Sequence, residues 1–228
     1  TVCKIRGVSY ESVDANKLSE ILMEIESHNM DIVLLEKEPK IAVYSPPDKQ
    51  PWDDAVTLAL TYAEIDYDVI FDDEVINGKI EDYDWLHLHH EDFTGQYGKF
   101  YRSYRNAAWY KKMEVDFNQS ARKHGFKSVH ELKKHVALKI KQFIIEGGFL
   151  FAMCSATDSF DIALASQGID IVESVFDQTP ADPNYLSKIN YRKGIAFENY
   201  SLITNPMIYE YSNIDYPSND KPKLKTAE

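Results

Sequence analysis

Two short stretches carry residue types that do chemistry. In Gly147-Gly148-Phe149-Leu150-Phe151-Ala152-Met153-Cys154-Ser155-Ala156-Thr157-Asp158, a glycine stop is followed by an apolar run, and the run ends at a cysteine. Ser155 and Asp158 have the S-x-x-D spacing of a capping box, which predicts a helix starting directly behind Cys154. The sulfur would then face backbone N–H groups at a helix start, a setting suited to an anionic nucleophile. Ala152 and Ala156 flank the cysteine with small side chains, as a sharp strand-to-helix elbow requires. The plainer alternative is a core cysteine at the end of an apolar strand.

The second stretch is Trp85-Leu86-His87-Leu88-His89-His90-Glu91-Asp92. On an extended strand His87 and His89 project to one face about 6.6 Å apart, a spacing at which two imidazoles can share a metal. Glu91 or Asp92 could complete such a set. Alternatively His89 or His90 acts as a general base or orienter beside Glu91, and His87 is a hydrogen-bonded core histidine. Trp52 and Asp53, at the expected start of a helix, are candidates for the wall of a ligand pocket, although carboxylates also favour helix N-termini for electrostatic reasons. Ser155, Asp158 and Tyr97 complete the candidate ligand-binding set. Tyr97 belongs to an aromatic-basic segment, residues 94–105, that reads as a packed face or a lid over strand ends.

These residues need a scaffold, and the pattern supplies one. Short apolar runs at residues 41–44, 67–71, 84–90 and 149–153 read as strands, and a fifth is expected at 169–172. Helices are expected at 52–64, 113–124, 128–146 and 158–167, the third of them marked by Leu132, Val136, Ile140, Phe143 and Ile144 at helical spacing and stopped by Gly147-Gly148. Residues 72–83 read as an acidic connection. The run 149–153 is apolar without alternation, as a strand covered on both faces would be. Alternating strands and helices imply an α/β fold with an open, mostly parallel, flavodoxin-like sheet, and such sheets gather their sites at the carboxyl ends of the strands. The loops after 44, 71 and 89 and the elbow at 154 therefore converge.

Residues 1–39 read as a strand and helix extension, with a strand within 2–10, a helix capped by Asp14 and an apolar run at 30–35. Residues 40–212 form the α/β domain, within which 195–197 and 201–204 are further strand candidates, and 213–228 a polar tail or a truncated continuation. The formal charge of −12 argues against nucleic acid and leaves small molecules or basic partners. Two cysteines, Cys3 and Cys154, make neither a zinc motif nor a disulfide framework. No run reaches the roughly 18 apolar residues of a membrane span. The chain opens on Thr1 and reads as a trimmed, soluble protein of cytoplasm or periplasm. There is no phosphate loop, no G-x-G-x-x-G and no G-x-S-x-G, so no nucleotide cofactor is expected; a divalent metal is the one cofactor the residues suggest.

The elbow around Cys154 resembles that of the class I glutamine amidotransferase-like superfamily, and GGFLFAMC resembles the corresponding strand of its ThuA-like branch. The blocks KIAVYSPPDKQPWDDAVTLALTYAEIDYDVIFDDEV, YDWLHLHHEDFTGQYGKFYRSYRNAAWY and GGFLFAMCSATDSFDIALA are similar to a group of bacterial proteins labelled asparagine synthetase B, over most of residues 1–215. The superfamily resemblance implies Cys154 as an acyl-accepting nucleophile. It also implies a histidine base downstream of the cysteine, whereas all seven histidines here precede Cys154 and Ala152 and Ala156 replace the usual flanking glycines. Asparagine synthetases would carry an N-terminal cysteine and an S-G-G-x-D-S loop, and neither occurs. The expected function is a Cys-dependent amide hydrolase or transferase, with a non-catalytic binding domain and a His87/His89 metal-dependent hydrolase as alternatives.

Overall fold

A computed structural model describes residues 11–30, 38–47, 55–214 and 223–224. Cys3, Trp52, Asp53, the strand expected within 2–10 and most of the run 30–35 lie outside the described residues. The chain divides into two compact units, Thr1–Glu38 and Pro39–Glu228. In the first, helix α1 (Ala15–Ser27) is capped by Asp14, whose carboxylate accepts the Lys17 N–H at 2.8 Å. Its apolar stripe stays open: no residue of α1 is buried.

The second unit is built on four parallel strands, β1 (Ile41–Tyr44), β2 (Tyr67–Ile70), β3 (Trp85–Leu88) and β4 (Phe149–Ala152), in the order β2-β1-β3-β4. That is the order with which flavodoxin-like sheets begin. Val43 pairs with Val69 on one side and His87 on the other, and His87 pairs with Phe151. Strand β1 is central and wholly buried, which is why its four residues are apolar without alternation.

Successive residues turn to opposite faces, so the two faces have separate partners. Ala42, Tyr44, Ile70, Leu86 and Leu88 share the main core with Leu132, Val136, Ala137 and Ile140 of α5 (Val129–Ile145). Ser128 starts α5 by accepting the Glu131 N–H, and Gly147, at φ 103°, ends it. Helix α4 (Ala108–Lys123) begins five residues earlier than its apolar spacing predicts. On the opposite face, α2 (Ala55–Tyr62) lays Leu60 against Ile41 and Val43.

The structure departs further from the sequence expectation elsewhere in this unit. The acidic connection holds a short helix, α3 (Asp72–Ile76), where Glu74 reaches back to the Phe71 N–H at 3.0 Å. Strand β4 is not covered on both faces: Phe149 and Phe151 remain 57% and 43% exposed. Residues 169–172 form no strand, although Ile169, Ile171 and Val172 are buried. There the Asp170 side chain accepts the Val172 N–H at 3.0 Å and Asp182 accepts that of Asp170, so side chains take the donors a ladder would need. Of the two weaker strand expectations, Leu202 makes a single bridge to Ser212, and Phe197–Glu198 pairs antiparallel with Lys223–Leu224, within the stretch expected to be a polar tail.

Candidate active site

Because the strands are parallel, the residues that follow them share one edge of the sheet: Ser45 after β1, Phe71 after β2, His89 after β3 and Met153-Cys154 after β4. At the last of these, helix α6 (Ser155–Ala165) starts directly behind the cysteine. Cys154 is itself the N-cap, at φ 52° and ψ −140°. A non-glycine residue held there costs about 1–3 kcal/mol and survives where the surroundings impose it. The imposing contacts are visible: the Ala156 N–H donates to the His89 carbonyl at 3.1 Å, and the Thr157 N–H to the Cys154 carbonyl at 3.1 Å. These bonds leave the Ser155 N–H, at the first position of the helix, unused.

The capping box expected from Ser155 and Asp158 does not form. The turn comes one residue earlier, so Ser155 is the first helical residue rather than the cap. Asp158 points inward instead, 2% exposed, and accepts the Ser212 hydroxyl at 3.0 Å. The thiol of Cys154 is exposed. Tyr209 and Tyr211 lie near enough to sense it: their phenol pKa values are raised first by burial and further by neighbouring acidic groups, Cys154 among them.

His89, His90 and Glu91 are brought together. The two imidazoles stand 3.7 Å apart between ring centroids, and the Glu91 carboxylate accepts the backbone N–H of His89 at 2.6 Å. Ser159 of α6 donates to the Glu91 carbonyl at 2.9 Å and so fastens this turn to the helix behind Cys154. All three residues line a cleft of about 390 Å³ with Ser45, Phe71, Phe100, Phe117 and Lys133; Cys154 is not among its lining residues. His87 sits deeper, fully buried, with its ring stacked on Phe151 at 5.6 Å and 6.1 Å from that of His89. Asp92 folds the loop: its carboxylate accepts from Thr94 N–H and hydroxyl and from the Gly98 N–H. Tyr97 is 2% exposed, stacks on Phe117 and accepts from Asn118 at 2.8 Å, so it packs the core and does not line the cleft.

The base of the cleft holds residues the sequence reading passed over. Lys133 places its ammonium 2.9 Å from Asp72 and 3.0 Å from the Tyr44 hydroxyl, which itself donates to Asp72. The same nitrogen lies 4.0 Å from the centre of the Phe71 ring and 4.9 Å from that of Phe117. Burial, then the Asp72 charge, pushes the Tyr44 phenol well up. The available signal was positional: residue 133 falls on the helical face of Val129, Val136 and Ala137, where a lysine is buried only with a partner.

One more cluster lies away from the cleft. His130, Asp170 and Asp177 are the one group of three or more His, Cys, Asp or Glu among the described residues arranged to hold a metal. His87 and His89 do not belong to it.

Compared with protein-family models, with curated proteins and with solved structures, the chain matches none. The chemistry must therefore be argued from the edge itself. It offers an exposed sulfur on a strained turn, an imidazole pair beside a carboxylate, and a mostly apolar cleft over a buried ammonium. Among the described residues no helix is long and apolar enough to cross a membrane.

Proposed function

We propose that the second unit is an amidotransferase-like domain, of the class I glutamine amidotransferase-like type and nearest its ThuA-like branch, that acts as a Cys-dependent amide hydrolase or transferase. The observation that carries this reading is the backbone of Cys154: φ 52°, ψ −140°, between a parallel strand and the helix it caps. Strain of that kind is retained where a nucleophile must stand clear of its own turn.

In this mechanism the sulfur attacks the amide carbonyl carbon, and the Ser155 N–H meets the oxyanion as the C–O double bond opens. The tetrahedral intermediate collapses as the C–N bond breaks. His89 or His90 takes the thiol proton as the sulfur attacks and returns it to the nitrogen so that ammonia leaves, with Glu91 holding the turn that carries both. Water, or an acceptor amine in a transferase, then releases the acyl group from the thioester and restores the thiol.

The test combines trapping and turnover. Iodoacetamide should modify Cys154 in the native chain about tenfold faster than in the urea-unfolded chain, with peptide mapping separating Cys154 from Cys3. Ammonia release from a panel of carboxamides should vanish in Cys154→Ala. Equal alkylation in both states, together with no release from any carboxamide, would overturn the reading.

One observation favours a second reading. The cleft is lined by His89, His90 and Glu91 without Cys154, which suits a non-catalytic ligand-binding domain. That reading expects binding of sugar-like molecules to weaken in Glu91→Gln and to be indifferent to Cys154→Ala.

A further inference from the structure

The cluster at the start of α5 is built from three elements that the amidase reading does not use. His130 is the second residue of α5, Asp170 sits in the segment expected to be a strand, and Asp177 ends a single helical turn, Ser174–Asp177. The His130 Nε2 lies 3.9 Å from an Asp170 oxygen and 3.6 Å from an Asp177 oxygen, and one donor atom from each residue falls within 4.8 Å of the others. We propose that His130, Asp170 and Asp177 hold one divalent transition-metal ion, Zn²⁺ or Mn²⁺.

The argument begins with the ring. Its side chain is only 11% exposed, and its Nδ1 is buried without a hydrogen-bond partner among the described residues. Neither tautomer of a neutral imidazole is satisfied there. With the proton on Nε2, both carboxylates are beyond hydrogen-bond length; with it on Nδ1, the Nε2 lone pair faces two anions. A cation at Nε2 would meet that lone pair and both carboxylates at once, with the ring proton left on Nδ1. Lys134 does not fill that role by contact, since its ammonium donates to the Ile169 carbonyl.

The carboxylates are already oriented. The Asp170 oxygen facing His130 also accepts the Val172 N–H, and the other accepts the Thr179 hydroxyl at 3.2 Å. The Asp177 oxygen facing His130 accepts the same hydroxyl at 2.8 Å, while its second oxygen accepts the Thr179 N–H at 3.0 Å. Outer contacts of this kind fix ligand direction in metal sites. Tetrahedral donors about 2.0–2.2 Å from zinc stand roughly 3.3–3.6 Å apart, so the two distances from His130 close with a shift of a few tenths of an ångström, and the two carboxylates already lie within 4.8 Å of each other. One imidazole with two carboxylates is a mixed nitrogen and oxygen set, which suits zinc or manganese; calcium and magnesium favour oxygen alone. Bound there, the ion would staple the start of α5 to residues 170–177.

The test uses the full chain, freed of metal by chelation and titrated calorimetrically with Zn²⁺ and separately with Mn²⁺. Manganese guards against zinc capture by the thiols, which bind it poorly. The expected result is one equivalent of either ion, weakened about tenfold or more in both Asp177→Asn and His130→Ala, with far-ultraviolet circular dichroism unchanged. Using two variants keeps the test decisive if one of them fails to fold. Absence of saturable binding by both ions would overturn the proposal. So would binding of undiminished affinity in a folded variant, since the ion would then lie elsewhere.

Discussion

Lys133 and Asp72 form an ion pair with 2% and 1% side-chain exposure, and the Tyr44 hydroxyl closes the triangle. Such a pair resists losing one member far more than losing both, because a buried charge without its counterion cannot recover its hydration. Asp72→Ala should therefore destabilise the fold by about 3–5 kcal/mol, read as a fall in the urea midpoint at constant slope. The triple change Tyr44→Phe, Asp72→Leu, Lys133→Met should regain most of that loss. A triple variant no more stable than Asp72→Ala would show that the pair itself, and not the orphaned charge, holds the fold. The elbow was legible at this scale from small residues around a cysteine after an apolar run, although a core cysteine fitted the same run and the cap spacing was what favoured the turn. Its cap was misread by one position, since the sequence spacing of Ser155 and Asp158 does not reveal that Cys154 takes the positive φ. His130 was invisible in its role because its partners lie about 40 and 47 positions downstream, given by 170 − 130 and 177 − 130 in the numbering.

Strands and long helices were legible where one period dominates: β1 to β4 each fall within an expected run, and α5 coincides with the clearest helical pattern. What failed was backbone decided by single side chains, as at Asp170, or by close approach. The loop after β3 shows the second case. Gly95 has φ 84°, and a Cβ there would lie 2.6 Å from the His130 Cα, so the loop is pressed against the first turn of α5. Gly125 has nearly the same φ, 80°, with no atom within 4 Å of an added Cβ. Gly125→Ala should cost only the left-handed penalty, about 1 kcal/mol. Gly95→Ala carries that penalty and must also displace loop or helix, for a total of about 2–4 kcal/mol. Equal losses in denaturant melts of the two variants would mean that the loop and the start of α5 are not in contact.

Across the second unit, the sheet's main-core face draws its packing from α5, α6 and the aromatic residues that follow β3, and tyrosines are a large part of that packing. Tyr44, Tyr97, Tyr110, Tyr200 and Tyr211 are each at most 4% exposed, and burial raises the pKa of each phenol. The sign of the linkage follows. A phenol whose folded pKa lies above its unfolded value of about 10 keeps a proton that the unfolded chain gives up, so the stability it contributes is full below pH 10 and is lost as pH climbs beyond it. With five such groups in one core, each ionisation that unfolding permits draws the equilibrium further, and the losses should coincide. In a spectrophotometric titration, a phenol in contact with water ionises gradually near pH 10. Tyr83, pushed up to about 12 by burial and then by its hydrogen bond to Asp68, should follow later. The five core phenols should appear together in one steep step that matches the loss of far-ultraviolet circular dichroism. If they ionised smoothly while the dichroism held, water would already reach those rings, and the aromatic packing beneath the candidate site would be loose enough to admit hydroxide.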